Sequence, residues 1–436
     1  MAHVRSFGAI HFDTTRFHDV SNLIAPPFDV LNEEQRAGLQ GRHPNNIVNV
    51  DLPHIPPKAA GPAEVYERSA VTLRAWLDAK ILVREHRTAF YPYSQTYDHN
   101  GRTVRRRGFF GLVRLSPFGQ GEVVPHEKTY KGAIEDRFAL MRATGCQMSP
   151  IFGLFNDRGN EITNLLYANL GRPDLTGTLD GVKSDLWKVS DPDLEVKVQD
   201  MMGNKPVYIA DGHHRYTTAL EYQRLMVEQN GGAPLPPHHP ANYCMFCLIS
   251  MNDPGLIIQA THRLIGGLEN FDAGAFVDAV SNTFNVTDTN VAPESVGRWI
   301  AETMPKAGAH TLALYDGRAK KLYQLSLMNH DVLKALEPGQ SDAWRMLDVA
   351  ILQRYLLDEV IQPKFSGGKE ITKAYVSDPA LVVPQTDGVK NQIALILQPT
   401  PLHALEELGR HNEVMPQKST YFFPKLATGM VINPLG

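Results

Sequence analysis

Short apolar, β-rich runs alternate along this chain with stretches whose apolar positions recur at helical spacing. One junction stands out. Lys205-Pro206-Val207-Tyr208-Ile209 reads as a strand, and Tyr216 to Glu228 carries Ala219, Leu220, Leu225 and Met226 at helical intervals. Between them lies Ala210-Asp211-Gly212-His213-His214-Arg215, so the pattern predicts strand, tight turn, helix. Backbone N–H groups at a helix start favour an anion, by hydrogen bonding and through the helix dipole. Gly212 permits a sharp turn or close ligand approach. An acceptor, two imidazoles and a guanidinium meet at this one point. The plainer alternative is an Asp cap with a solvated first turn.

Elsewhere the pattern predicts a proline-fixed extended segment at Ile24–Leu31, a short helix from Asn32, a strand at Ile47–Val50 and an amphipathic helix from Pro62 to Asp78. Residues 88–97 and 105–115 read as a hairpin about Asn100-Gly101. Strands follow at Val123-Val124, Gln147–Phe155 and Ser184–Ser190, and helices at Phe138–Thr144, Glu161–Leu170 and Asp191–Met202. Tyr243–Met251 reads as a buried strand, with Ile257–Leu264 as its partner after the turn Asn252–Gly255. From about residue 266 the character changes, with helices at Asp272–Phe284, Glu294–Met304, Leu347–Glu359 and Leu402–Gly409. A hairpin over 311–327 and strands at Ile371–Ser377 and Gln392–Leu397 complete this half. The expectation is an α+β (mixed α/β) chain of two domains, 1–265 and 266–436.

Composition narrows the class. The 436 residues are 43% hydrophobic and 21% charged, as in a globular protein, and the net charge of −4 gives no reason to expect nucleic acid or an anionic membrane as partner. No apolar run is long enough to span a bilayer and the N-terminus lacks a secretory apolar core. The 3 cysteines are too few for a disulfide scaffold, which fits a cytoplasmic location. Cys244 and Cys247 have CxxC spacing but lie in a strand pattern that points them to opposite faces. No second pair completes a zinc site, so buried core cysteines are the better reading.

Further candidate chemistry is dispersed. Asp29 follows two prolines. His126-Glu127 closes an apolar strand and leads to Asp136-Arg137 at a helix start. His262-Arg263 ends a strand, and the tail 415–425 carries Lys418, Lys425 and three hydroxyls. Each has a structural alternative: a turn cap, an ion pair, a surface strand end, or a tail packed by its aromatics. Walker, Rossmann, zincin, nucleophile-elbow and kinase signatures are absent from the chain.

The runs 25–30, 43–45, 125–129, 135–137, 210–216, 261–263 and 415–425, in that order, resemble the domain-of-unknown-function 1015 family of bacteria and archaea. More distantly, the Asp211–Arg215 turn resembles the phosphate-binding motif of the ParB/sulfiredoxin superfamily, including free serine kinases. That likeness implies a ParB/sulfiredoxin-like N-terminal portion. It lacks the sulfiredoxin cysteine and the basic helix-turn-helix composition of partition proteins.

The resulting expectation is a nucleotide-dependent phosphotransferase acting on a small hydroxylated metabolite such as free serine, with ATP or ADP and Mg²⁺ as cofactors. Gly212, His213, His214 and Arg215 would hold phosphate, and His213 would also take part in transfer. Asp211 would hold the metal. Glu127 would be the base, with His126 orienting it. Asp29, Arg137, Arg263 and Lys418 would anchor substrate, with the tail returning to the site. A homodimer is compatible with the sequence. The alternatives are a metal-dependent hydrolase using His126, Glu127, Asp211, His213 and His214, and a non-catalytic nucleotide-binding regulator.

Overall fold

Asn100 and Gly101 both adopt positive φ (51° and 72°), the backbone that joins two strands through a type I′ turn. They close the hairpin Tyr91–His99/Arg102–Arg114 at the middle of the main sheet. The computed structural model describes residues 3–55, 59–127, 129 and 131–436. The chain divides into two units. One comprises the described residues of 1–125, 129–257 and 424–436; the other comprises His126 and Glu127 with 258–423. Both mix helices with sheets, giving the α+β class expected.

The sheet of the first unit runs in the order Val123–Val124, Val207–Asp211, Ile151–Phe155, Tyr243–Ser250, Arg102–Arg114, Tyr91–His99, Val182–Leu186 and Leu175–Leu179. Val4–Arg5 pairs with Arg102–Arg114. Tyr243–Ser250 is buried at every position. It runs parallel to Ile151–Phe155 and antiparallel to Arg102–Arg114. A continuous apolar run therefore suits it better than alternation. Cys244 and Cys247 are 3% and 0% exposed, and the cysteines are free thiols. Burial pushes both of these thiols up to about 12, which makes them inert core residues. Tyr216, Phe246, Ile209 and Phe109 share the core beside this sheet. The helices Ala63–Asp78, Lys131–Thr144 and His213–Gln229 pack in sequence, the second touching both others.

The second unit is built on a sheet in the order Phe284–Asp288, Lys321–Leu327, Thr311–Asp316, Ile393–Ile396, His262–Gly266 and Thr372–Val376, antiparallel throughout. Leu264, Trp299, Tyr315 and Ile396 form its core.

Three local expectations are corrected. Residues Val48–Asp51 are helical, not a strand. Asn46 explains it: its Oδ1 accepts from the Val48 N–H at 3.0 Å, while its Nδ2 donates to the carbonyls of Asn22 and Ile24. Asp136 and Arg137 lie inside the helix Lys131–Thr144, not at its start. Ile257–Leu264 is not one partner strand of Tyr243–Ser250. His262–Gly266 is instead an interior strand of the second unit's sheet, flanked on both sides. Among the described residues no helix is long and apolar enough to cross a membrane.

Candidate functional site

Strand Val207–Asp211 pairs with Ile151–Phe155 through a register irregularity between Ile209 and Asp211. Such a bulge re-aims the side chains beyond it. Gly212 follows at φ 99° as the N-cap of the helix His213–Gln229 and contributes no side-chain cap. A Cβ on Gly212 would lie 3.0 Å from the Arg215 Cζ and Nε atoms, so the guanidinium is folded back over the glycine. Backbone conformation and lack of space both require glycine here.

Asp211 is the centre of the cluster. Its Oδ2 accepts from Arg215 Nη2 at 2.6 Å and its Oδ1 accepts from Lys425 Nζ at 2.6 Å. Arg215 also donates to the Pro150 carbonyl. Burial alone would raise the Asp211 carboxyl. The charges of Lys425 and then Arg215 outweigh burial and hold it well below the usual carboxylate range, with His213 adding to the same field. Two cations thus meet on one carboxylate at the head of this helix. His213 is 6% exposed and His214 half-buried on the first turn.

A second polar group adjoins this one. Arg137 is held on two sides: its Nε donates to Asp136 Oδ2 at 2.7 Å, and its Nη1 donates to the Asp51 carbonyl at 2.7 Å and to Asp51 Oδ1 at 3.2 Å. Tyr66 donates to Asp136 Oδ1 at 2.7 Å, and the Phe28 ring lies 4.0 Å from the guanidinium. Burial raises the Asp51 carboxyl, opposed first by Arg137 and then by Arg215. Asp51, Arg137, Ser149, Thr218 and Arg215 line one cavity of about 30 Å³, room for a water molecule. The structure therefore brings Arg137 and Arg215 to one place, but Arg137 arrives there already bound by two carboxylates. Asp29 is exposed on the turn Phe28–Val30.

The remaining expected residues belong to the second unit. His126 Nε2 is 2.9 Å from Thr420 Oγ1 and 4.0 Å from Glu127, and Glu127 Oε1 accepts from the Ser419 N–H at 3.3 Å. Arg263, 2% exposed, donates to the carbonyls of Thr261 and Gln417, and burial brings it down to about 10. His262 is buried, accepts from the Leu397 N–H at Nδ1 and is pushed down to about 4 by burial, then by Arg263. Lys418 is exposed at φ 57°.

Two residues of the first cluster escaped sequence reasoning. Asp51 read as the end of a strand. Lys425 read only as part of a polar tail, within which Lys418 was favoured. No local signal separates the two lysines. The metal expectation does not fit: both oxygens of Asp211 carry cations, and among the described residues no group of three or more His, Cys, Asp or Glu is placed to hold a metal ion. The five ligands of the hydrolase alternative are divided between the two units, His126 and Glu127 in one and Asp211, His213 and His214 in the other.

The fold is thus an α+β scaffold presenting a cation-rich turn at the head of a helix. The chain belongs to the family described as "Protein of unknown function (DUF1015)", whose pattern matches residues 4–350. The 415–425 run lies beyond the matched residues. No curated protein matches the chain. Among solved structures, it is similar to a free serine kinase variant in complex with AMP, at 13% identity over 69% of this chain and 84% of that one, TM-score 0.32. It is also similar to a conserved hypothetical protein from Pyrococcus furiosus, at 14% identity over 72% and 92%, TM-score 0.31. The third is SbnI with C-terminal truncation from Staphylococcus aureus, at 11% over 74% and 87%, TM-score 0.34.

Proposed function

We propose that the protein is a nucleotide-dependent phosphotransferase acting on a small hydroxylated metabolite such as free serine, and that the head of helix His213–Gln229 is its phosphate-facing turn. The observation that carries this reading is the pairing of Arg215 and Lys425 on the single carboxylate of Asp211, at a helix start with no side-chain cap. A phosphate arriving there meets the positive end of the helix dipole and the two cations Arg215 and Lys425. Arg215 supplies a planar fork suited to two phosphate oxygens, and Lys425 a point charge. Asp211 holds both cations in place and is a positioning residue, not a base. Arg137, fixed by Asp51 and Asp136, forms the rigid wall behind Arg215.

ATP or ADP is the nucleotide of this reading. Asp211 is not a Mg²⁺ ligand in this reading, because its two oxygens accept from Arg215 and Lys425. The acceptor side, with Glu127 as base and His126 beside it, rests on the sequence expectation alone. Release of ADP from ATP against a library of hydroxylated metabolites, serine included, tests the transfer. Metabolite-dependent ADP release is the expected result.

One observation favours a second reading, a regulator that binds nucleotide without chemistry. Both acidic groups nearest Arg215 are committed, Asp211 to two cations and Asp51 to Arg137. The cluster in the first unit therefore holds an anion well and offers no carboxylate base of its own. Tight nucleotide binding with no metabolite-dependent ADP release would decide for this reading.

A further inference from the structure

A cavity of the first unit shares no lining residue with the Asp211 cluster. It measures about 730 Å³, within the range of pockets that bind small molecules. Its wall carries Arg5, Arg84, His3, His86 and His238 against a single carboxylate, Glu85. That carboxylate is already engaged, by His11 at 3.0 Å and by Lys188 at 2.9 Å. A second carboxylate, Glu195, is bonded by the wall residues Ser6 and Thr88.

Arg5 is the best-placed group. It lies on the strand Val4–Arg5, fixed against Leu112 and Val113. Its guanidinium stacks on the Tyr243 ring at 3.5 Å from the centroid. Stacking occupies the guanidinium face and leaves its edge for an in-plane acceptor. At that edge, Nη1 donates to the His238 carbonyl at a long 3.4 Å, and Tyr243 adds a side-chain hydrogen bond to the guanidinium. The Nε atom is buried with no hydrogen-bond partner among the described residues. A buried unmet guanidinium donor is costly, and an oxyanion would satisfy it. Arg84, exposed at the end of strand Leu82–Arg84, reaches the Gly436 carbonyl at 2.8 Å.

We infer that this cavity is a second ligand site, separate from the phosphate-facing turn, that takes a small metabolite bearing at least two oxyanion groups, with Arg5 gripping one and Arg84 and the histidines meeting the other. Phosphates and carboxylates share the required chemistry.

Calorimetric titration of the full chain with inorganic pyrophosphate and, separately, with citrate tests this in the Arg215→Ala/Lys425→Ala background, which removes the first cluster. At least one probe is expected to bind, and which of them binds distinguishes phosphate from carboxylate recognition. Adding Arg5→Gln or Arg84→Gln should weaken that binding about tenfold each, the worth of a charge-assisted bond. Arg84 is exposed, so its variant keeps the fold and decides the matter even if Arg5→Gln unfolds. Absence of binding by both probes at millimolar concentration, or binding unchanged in Arg84→Gln, would overturn the inference.

Discussion

Two His-Arg pairs look alike in the sequence, and the protein uses them differently. His214-Arg215 lies on the first turn of a helix, where Arg215 shares a half-buried carboxylate with Lys425. His262-Arg263 lies in an interior strand, where both side chains are buried and satisfied mainly by backbone groups. The first pair sits where chain direction changes, at the head of a helix. The second sits where neighbouring strands cover it on both sides. Residue type is therefore a poor guide to chemistry without the element that carries it. A guanidinium bonded to backbone carbonyls in a sheet is architecture. One folded over a glycine at a helix start is, in the proposed function, the group that meets a ligand.

The comparison can be broken most forcefully at Arg137. Arg137→Met would leave Asp51 and Asp136 buried without their cation, and should cost about 3–5 kcal/mol of stability in urea unfolding. A loss below about 1 kcal/mol would mean that the wall behind Arg215 is not built as described.

The buried pair predicts a pH dependence. The His262 imidazole, ordinarily near 6.5, titrates at about 4 in the folded chain, so between those values the unfolded chain binds the extra proton. Stability from neutral His262 is complete above about pH 6.5 and lost as pH falls toward 4, by about 3 kcal/mol at 1.36 kcal/mol per unit. Protonation would also remove the Nδ1 acceptor used by Leu397. His262→Gln should flatten that part of the unfolding profile. An unchanged slope in the variant would remove His262 as the cause.

Gly212→Ala sharpens the other half of the comparison. Strain at φ 99° together with crowding against Arg215 should cost about 1–3 kcal/mol and weaken nucleotide binding. Thermal unfolding and calorimetry would read the two effects separately. The smallest effect is expected at the exposed Lys418: Lys418→Ala should change stability by less than about 0.5 kcal/mol and leave nucleotide affinity intact, whereas Lys425→Ala should not.

The elements legible in the sequence were those with a local cause. Asn100-Gly101 required its hairpin. Asp191 caps the helix Pro192–Met202 by accepting from the Asp193 and Leu194 N–H groups. Gly212 between strand and helix announced the tight turn. What could not be read depends on contacts distant in sequence. Lys425 reaches Asp211 across 214 positions, and Arg137 reaches Asp51 across 86. Nothing near Lys418 or Lys425 distinguishes the lysine that meets a carboxylate from the one that faces water. Ile257–Leu264 reads as the partner of Tyr243–Met251 for a similar reason. Apolar content marks a strand, but its partners are chosen by topology. The cavity about Arg5 was also invisible, since its wall gathers residues from 3–8, 84–88, 238–243 and 433–434.

The central claim is that Arg215 and Lys425, held by Asp211, receive the phosphates of a nucleotide. Calorimetric titration of ATP and ADP into the wild-type chain and into Arg215→Ala/Lys425→Ala tests it most directly. The account predicts measurable binding to the wild type and a loss of about a hundredfold or more in the double variant, two charge-assisted contacts at about 1.5 kcal/mol each. Unchanged ATP and ADP affinity in a folded double variant would contradict it.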